Sequence, residues 1–200
     1  MSGHKIRKGY KMRLPLLPPD QLSDEQKPIY DDMRAGIEEK FNDFEAMRDD
    51  GALMGPWNPW LQSPKVGGAI WELTKAVSTD PKVPAKAREI AILVTGAHFN
   101  AAYEIYAHVA AAEEKGLDED MLASLVAGVQ PQGLNEEQSV AYEVATSLLA
   151  GATLPRPTWD RAVRVLGEPA THELIYLVGL YCLVSVTLNG FNVPVPDACA

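Results

Sequence analysis

Ile90-Ala91-Ile92-Leu93-Val94 limits the fold of this chain more than any other segment. It lies in a stretch opened by Pro84 and running to about His98, and it reads as a helix apolar nearly all round, which has to be buried. Charge in such a helix is costly without a partner. Glu89 nevertheless sits there, directly after Arg88. The next stretch, Asn100 to Gly116, is rich in alanine and carries Glu104 and His108 four residues apart, on one helical face and within reach of each other. Two carboxylates and an imidazole in dry helical sequence form a candidate proton-transfer set. The alternative is an ordinary surface ion pair, which contributes little. The small neighbours Ala101, Ala107, Ala111 and Ala112 favour a pocket or a tight helix contact instead.

The remaining chain also reads as helices. Ser23-x-x-Gln26 is a capping box opening a helix to about Met47, which Gly36 weakens. Residues 50–62 read as a loop holding Trp57, Asn58 and Trp60. Ser63-Pro64 opens a helix with Val66, Ile70, Leu73 and Val77 as one apolar stripe, ended by Asp80-Pro81. Asn100 is read as the cap of the helix that Gly116 ends. Further helices are expected from Asp118 to about Ala127, from the Asn135-x-x-Gln138 cap to near Gly151, over 157–166, and from near Pro169 to Asn189-Gly190. No segment alternates like a strand with hairpin turns. The expectation is a single all-α domain over residues 21–200, preceded by an extended proline-rich arm over residues 1–20.

Composition excludes several classes. A formal net charge of -9 argues against nucleic acid, which needs clustered Lys and Arg. The first residues are too polar for a secretory signal, and Leu174 to Leu188 is too short for a membrane span and carries Tyr176, Tyr181, Ser185 and Thr187. A buried core helix, no membrane partner and a cytoplasmic location are expected. Cys182 and Cys199 form no C-x-x-C, so no disulfide framework is expected. Glu89, His98, Glu104 and His108 could ligate a metal, but the duplicated Glu-x-x-His of helical carboxylate sites is missing. No metal and no cofactor are therefore expected, and no nucleophile-elbow or phosphate-loop motif is present. His98 reads as a helix-end cation and His172 as a surface residue. Trp57, Asn58 and Trp60 read as a hydrophobic anchor, a subunit contact or a pocket wall.

The order Arg88-Glu89, apolar helix, Tyr103-Glu104-x-x-x-His108 and an alanine-rich helix ending at Gly116 resembles the carboxymuconolactone decarboxylase and alkylhydroperoxidase D superfamily. The likeness covers about residues 60–195. The Gly55-Pro56-Trp57-Asn58 stretch and the closing Ser185 to Pro194 are similar to the longer, decarboxylase-like members. The resemblance implies an all-α fold built around a helical hairpin, with assembly as homotrimers or hexamers and active sites near subunit boundaries. Its peroxidase branch carries Glu followed by C-x-x-C-x-x-x-His. Glu89 and His108 match that pattern, but the cysteine positions are Ala101 and Glu104, so thiol–disulfide chemistry cannot run. The Glu-x-x-x-His of the decarboxylase branch matches Glu104 and His108. The implied activity is a cofactor-free lyase acting on a small lactone or carbonyl acid. His108 would donate the proton, Glu104 would orient it, and Glu89 would complete the relay or hold the substrate. Arg88 is the nearest cation for an anionic substrate, and Trp57, Asn58 and Trp60 would wall the pocket. Two other readings stand beside it. One is an isomerisation or hydration by the same residues on a different, more aromatic substrate. The other is a non-catalytic oligomeric binding protein, in whose filled core Glu89, Glu104 and His108 satisfy one another; an open pocket on which they converge favours the enzyme.

Overall fold

A computed structural model describes residues 12–196, which leaves His4 and Cys199 outside the described residues. The described residues are helical, with one isolated antiparallel bridge between Met47 and Leu53 as the sole strand-like pairing. The helices are α1 (Lys27–Lys40), α2 (Trp57–Gln62), α3 (Pro64–Ser78), α4 (Ala85–Phe99), α5 (Ala102–Glu114), α6 (Glu119–Val126), α7 (Glu136–Leu149), α8 (Arg156–Leu166) and α9 (Glu168–Phe191).

α4 is the centre of the domain, packed against α5, α6, α7 and α9. Ala87 and Ile90 to Leu93 are each 0–1% exposed, as a helix apolar on every side requires. α7 meets it with Val140, Ala141, Val144 and Ala145, small enough for close helix approach. α4 and α5 form a hairpin. Lys86 Nζ donates to the Gly116 carbonyl, Glu89 pairs with His108, and Gly96 abuts the Glu104 side chain, so the two helices run antiparallel. The turn between them is set by Asn100, which is the left-handed C-cap of α4 (φ 50°) rather than the N-cap of α5; Ala101 takes that place. Asparagine tolerates this conformation because its side chain is short and polar.

Other boundaries also differ from the sequence expectation. α1 stops at Lys40, seven residues before Met47, and residues 41–54 are irregular. Gly36 leaves α1 unbroken, and the Trp71 ring lies where its Cβ would be, 2.5 Å away. Residues 57–62 are not a loop but the short helix α2, in which Pro59 falls within the first turn, where a missing N–H costs nothing. The capping box at Asn135 and Gln138 forms in full, and Asp118 caps α6 by accepting from the Met121 N–H.

α9 spans 24 residues and is the one helix among the described residues long and apolar enough to cross a membrane, with mean hydropathy 1.8 in its most apolar window. It outruns the Leu174 to Leu188 segment, yet its inner face is core: Leu174, Leu177, Val178, Tyr181 and Val184 are buried. Of the residues before α1, Arg13 and Pro15 are held against α9 and α2. The Pro15 carbonyl accepts from Asn58 Nδ2 and Gln62 Nε2, and the Arg13 N–H donates to Phe191 at 3.0 Å.

Candidate active site

Glu104, His108, Ala111 and Lys115 recur at helical spacing and form one line along α5 and its C-terminal end. The hairpin lays this line against Glu89 near the start of α4. His108 Nδ1 and Glu89 Oε2 are hydrogen-bonded at 2.7 Å, and Lys115 Nζ reaches the other Glu89 oxygen at 3.2 Å. On the opposite edge of the ring, His108 Nε2 is 3.2 Å from Glu104 Oε1. That second approach lacks hydrogen-bond alignment, and Glu104 Oε1 is buried with no hydrogen-bond partner. The carboxylate that orients the imidazole is therefore Glu89, not Glu104, and Nε2 is the nitrogen left free to work. The Tyr181 ring from α9 stands edge-on to the imidazole, with centroids 5.0 Å apart.

The electrostatics separate the two carboxyls. Burial pushes Glu89 up, but the facing His108 and Lys115 outweigh it and hold the carboxyl below its ordinary value of 4.5. Glu104 has no such help: burial raises it from 4.5 to about 7, with His108 pulling it down and Glu89 pushing it up. Burial would lower His108, but the two carboxylates outweigh it and hold the imidazole above its ordinary range. Two neighbouring carboxyls driven apart in this way are the pattern of an acid–base site. Tyr181, pushed far up by burial, stays protonated.

Two cavities meet at His108. A cleft of about 470 Å³ has Lys40, Lys82, Arg88 and Lys115 in its wall together with Glu89. A small inner pocket of about 30 Å³ is lined by Trp57, Trp60, Tyr103, Leu180 and Val184, with Glu104. Phe41, Phe44, His108 and Tyr181 belong to both. The Trp57 and Trp60 indole N–H groups are buried and have no partner, at a cost of about 1–3 kcal/mol each.

The fold thus brings Glu89, Glu104, His108, Trp57, Trp60 and Arg88 to one place, with Arg88 largely committed elsewhere. Its Nη1 donates to the Val77 carbonyl at 2.9 Å and lies 3.7 Å from Glu173 Oε1. Asn58 is not in the pocket; it is fully buried and holds Pro15. His98 lines a separate hollow with Tyr142 and Thr146, and His172 is exposed and stacked on Trp159. Cys182 is half-buried, and burial raises its thiol. Sequence reasoning missed Lys115, Tyr181, Phe41 and Phe44. Lys115 alone carried a signal, seven residues beyond His108 on the same face; the others arrive from distant parts of the chain.

The fold and the site define a helical domain whose core hairpin holds a buried cluster of Glu89, Glu104 and His108. Residues 64–147, from α3 into α7, match the carboxymuconolactone decarboxylase family. Solved structures agree in fold. An uncharacterized peroxidase-related protein from Silicibacter sp. TM1040 superimposes with a TM-score of 0.73 at 12% identity, covering 96% of each chain. A peroxidase-related protein from Ralstonia eutropha JMP134, described as an alkylhydroperoxidase AhpD core, gives 0.71 at 11%, covering 94% of this chain and 93% of that one. A variant of the debrominase Bmp8 in complex with 2,3,4-tribromopyrrole gives 0.69 at 15%, covering 94% and 95%. No curated protein matches. The match over residues 64–147 and the shared fold make the chain similar to the carboxymuconolactone decarboxylase and alkylhydroperoxidase D-like proteins.

Proposed function

We propose that this protein is a cofactor-independent lyase that decarboxylates a small lactone or carbonyl acid, with His108 as the proton donor. The observation that carries the reading is the free Nε2 edge of His108. It faces a carboxyl with a pKa of about 7 and stands where an open cleft meets an apolar pocket. A filled core would be expected of a mere scaffold; a 470 Å³ cleft walled by Glu89 and His108 supports an enzyme.

The bond from carbon to the carboxylate breaks, and carbon dioxide leaves. The electron pair moves through the conjugated system onto a carbonyl oxygen, giving an enolate. His108 Nε2 then delivers its proton to carbon, and the pair returns to form the C–H bond. Glu104 or solvent reprotonates His108, so one proton is consumed per turnover. Glu89 keeps the ring fixed and charged through Nδ1, a role that needs its own ionisation, which Lys115 supports. The lysines in the cleft wall supply attraction for an acid substrate in a chain that is otherwise acidic. An acid and a base side by side, His108 and Glu104, would equally serve an isomerisation, which differs in substrate and not in residues. We further propose that the chain works as a homo-oligomer through the outer face of α9.

The test is carbon dioxide release from 4-carboxymuconolactone, without added metal or thiol. The wild type should turn over, and His108→Ala should lose about 10²–10⁴-fold in kcat with its helix content intact. An inactive wild type would remove this substrate; an active variant would remove His108 as the acid.

A further inference from the structure

Glu104 lines the inner pocket and not the cleft, and Glu89 the cleft and not the pocket, so His108 turns Nε2 to the pocket and Nδ1 to the cleft. The pocket measures about 30 Å³, whereas a single benzene ring occupies a cavity of about 150 Å³. No ring reaches the working edge of the imidazole unless a wall moves. His108, Tyr181, Phe41 and Phe44 stand between pocket and cleft. The first two are buried on α5 and α9. Phe41 and Phe44 are only half-buried and belong to the irregular segment after α1. That segment is tied at both ends. The Phe41 N–H donates to the Ile37 carbonyl; the Glu45 N–H donates to the Tyr106 hydroxyl, and the Glu45 carbonyl accepts from Tyr103. Between these ties, Asn42, Asp43 and the Phe44 backbone make no hydrogen bond among the described residues. Asn42 and Asp43 are exposed, and the two rings pack inward. Phe41 stands edge-on to Trp57, and Phe44 stacks on Trp57 and meets Tyr103 and Tyr106 edge-on. Phe41 also walls a third hollow, of about 260 Å³ between α1 and α3, large enough to receive its ring.

We propose that residues 41–44 are a flap over the working edge of His108, which opens by withdrawing the Phe41 and Phe44 rings and so joins the inner pocket to the cleft. The inference rests on the reading of His108 Nε2 as the acid and names what controls entry to that site. Side-chain packing alone holds the flap down between its ties, so it opens without breaking a backbone hydrogen bond. The helical walls from α2, α3, α5 and α9 have no such freedom. Shut over a ligand, the flap keeps water from Glu104 and the imidazole while the proton moves.

The experiment is modification of the full chain by diethyl pyrocarbonate, with His108 followed by mass spectrometry. The reagent is too large for the shut pocket, and Glu89 covers Nδ1. His108 should react more slowly than the exposed His172, at a rate almost unchanged by urea below the unfolding transition, because opening a flap exposes little surface. Phe44→Ala should speed the reaction about tenfold, as expected from the loss of its ring contacts. Asn42→Gly keeps both rings, loosens the segment and should speed it about twofold or more. A His108 that reacts only as the chain unfolds, or at one rate in wild type and both variants, would overturn the flap. So would acceleration by Phe44→Ala alone, which a fixed wall would also give. The readout needs no turnover, so a sealed pocket and an inactive enzyme are told apart.

Discussion

Glu104 is a carboxyl whose environment opposes its ionisation, and this has a consequence for stability. Its pKa is raised from 4.5 to about 7 in the folded chain, so between those values the native state holds a proton that the unfolded state has lost. Stability from this group is fully present below about 4.5 and falls as pH rises toward about 7, by about 3 kcal/mol. Glu89 acts oppositely: its lowered pKa contributes stability that is lost as pH falls below 4.5. His108, raised, contributes below its ordinary 6.5 and loses that contribution at higher pH. Glu104 therefore dominates the interval from 4.5 to 6.5. Urea unfolding across it should show wild-type stability declining with pH relative to Glu104→Gln; parallel curves would mean that Glu104 is ionised and paired in the fold. The sequence placed Glu104 and His108 on one face but could not show which carboxylate holds which ring nitrogen. That depends on the register between α4 and α5, fixed by tertiary contacts such as Lys86 to Gly116.

At the scale of elements, the joint between α2 and α3 decides where the two indoles stand. The Gly67 position leaves no room for a side chain: a Cβ there would lie 2.1 Å from the Trp60 carbonyl oxygen, which is backbone and cannot swing aside. Gly67→Ala should cost about 1–3 kcal/mol in urea unfolding. Gly68→Ala meets only Ile29 Cδ1 at 3.5 Å and should be neutral or stabilising by up to about 1 kcal/mol, because alanine is the better helix former. Equal effects at the two positions would show that α2 and α3 can separate without loss. α2 was illegible beforehand because Pro56, Pro59 and Gly55 read as loop punctuation. In the structure Gly55 takes a positive φ of 56° against the Tyr103 ring, and the prolines sit at the start of the helix, where they are harmless. The longer apolar helices α4 and α9 were legible because burial on every side leaves a continuous apolar run.

For the whole molecule, α9 joins the site to a surface. Its inner face sets Tyr181 against His108, while Tyr176, Leu183 and Val186 on the other side are 66%, 39% and 56% exposed. Among the described residues, side chains added at Gly179 and Gly190 would meet nothing within 4 Å. Exposed apolar side chains on one helical face are the kind of surface an association between chains would use. The sequence could show only that α9 is apolar throughout, because which side of a uniformly apolar helix meets the core is decided by its neighbours. Sedimentation should find the wild type heavier than one chain, and Leu183→Asp combined with Val186→Asp should yield a monomer with unchanged helix content. The site residues come from a single chain, and Tyr181 lies on the face that the substitutions spare. The monomer should therefore retain the tight coupling of His108 to Glu89 in its imidazole titration. A wild type that sediments as one chain, or a double variant that stays associated, would remove the α9 face as the interface. A monomer whose His108 titrates normally would show that assembly holds the hairpin and α9 together.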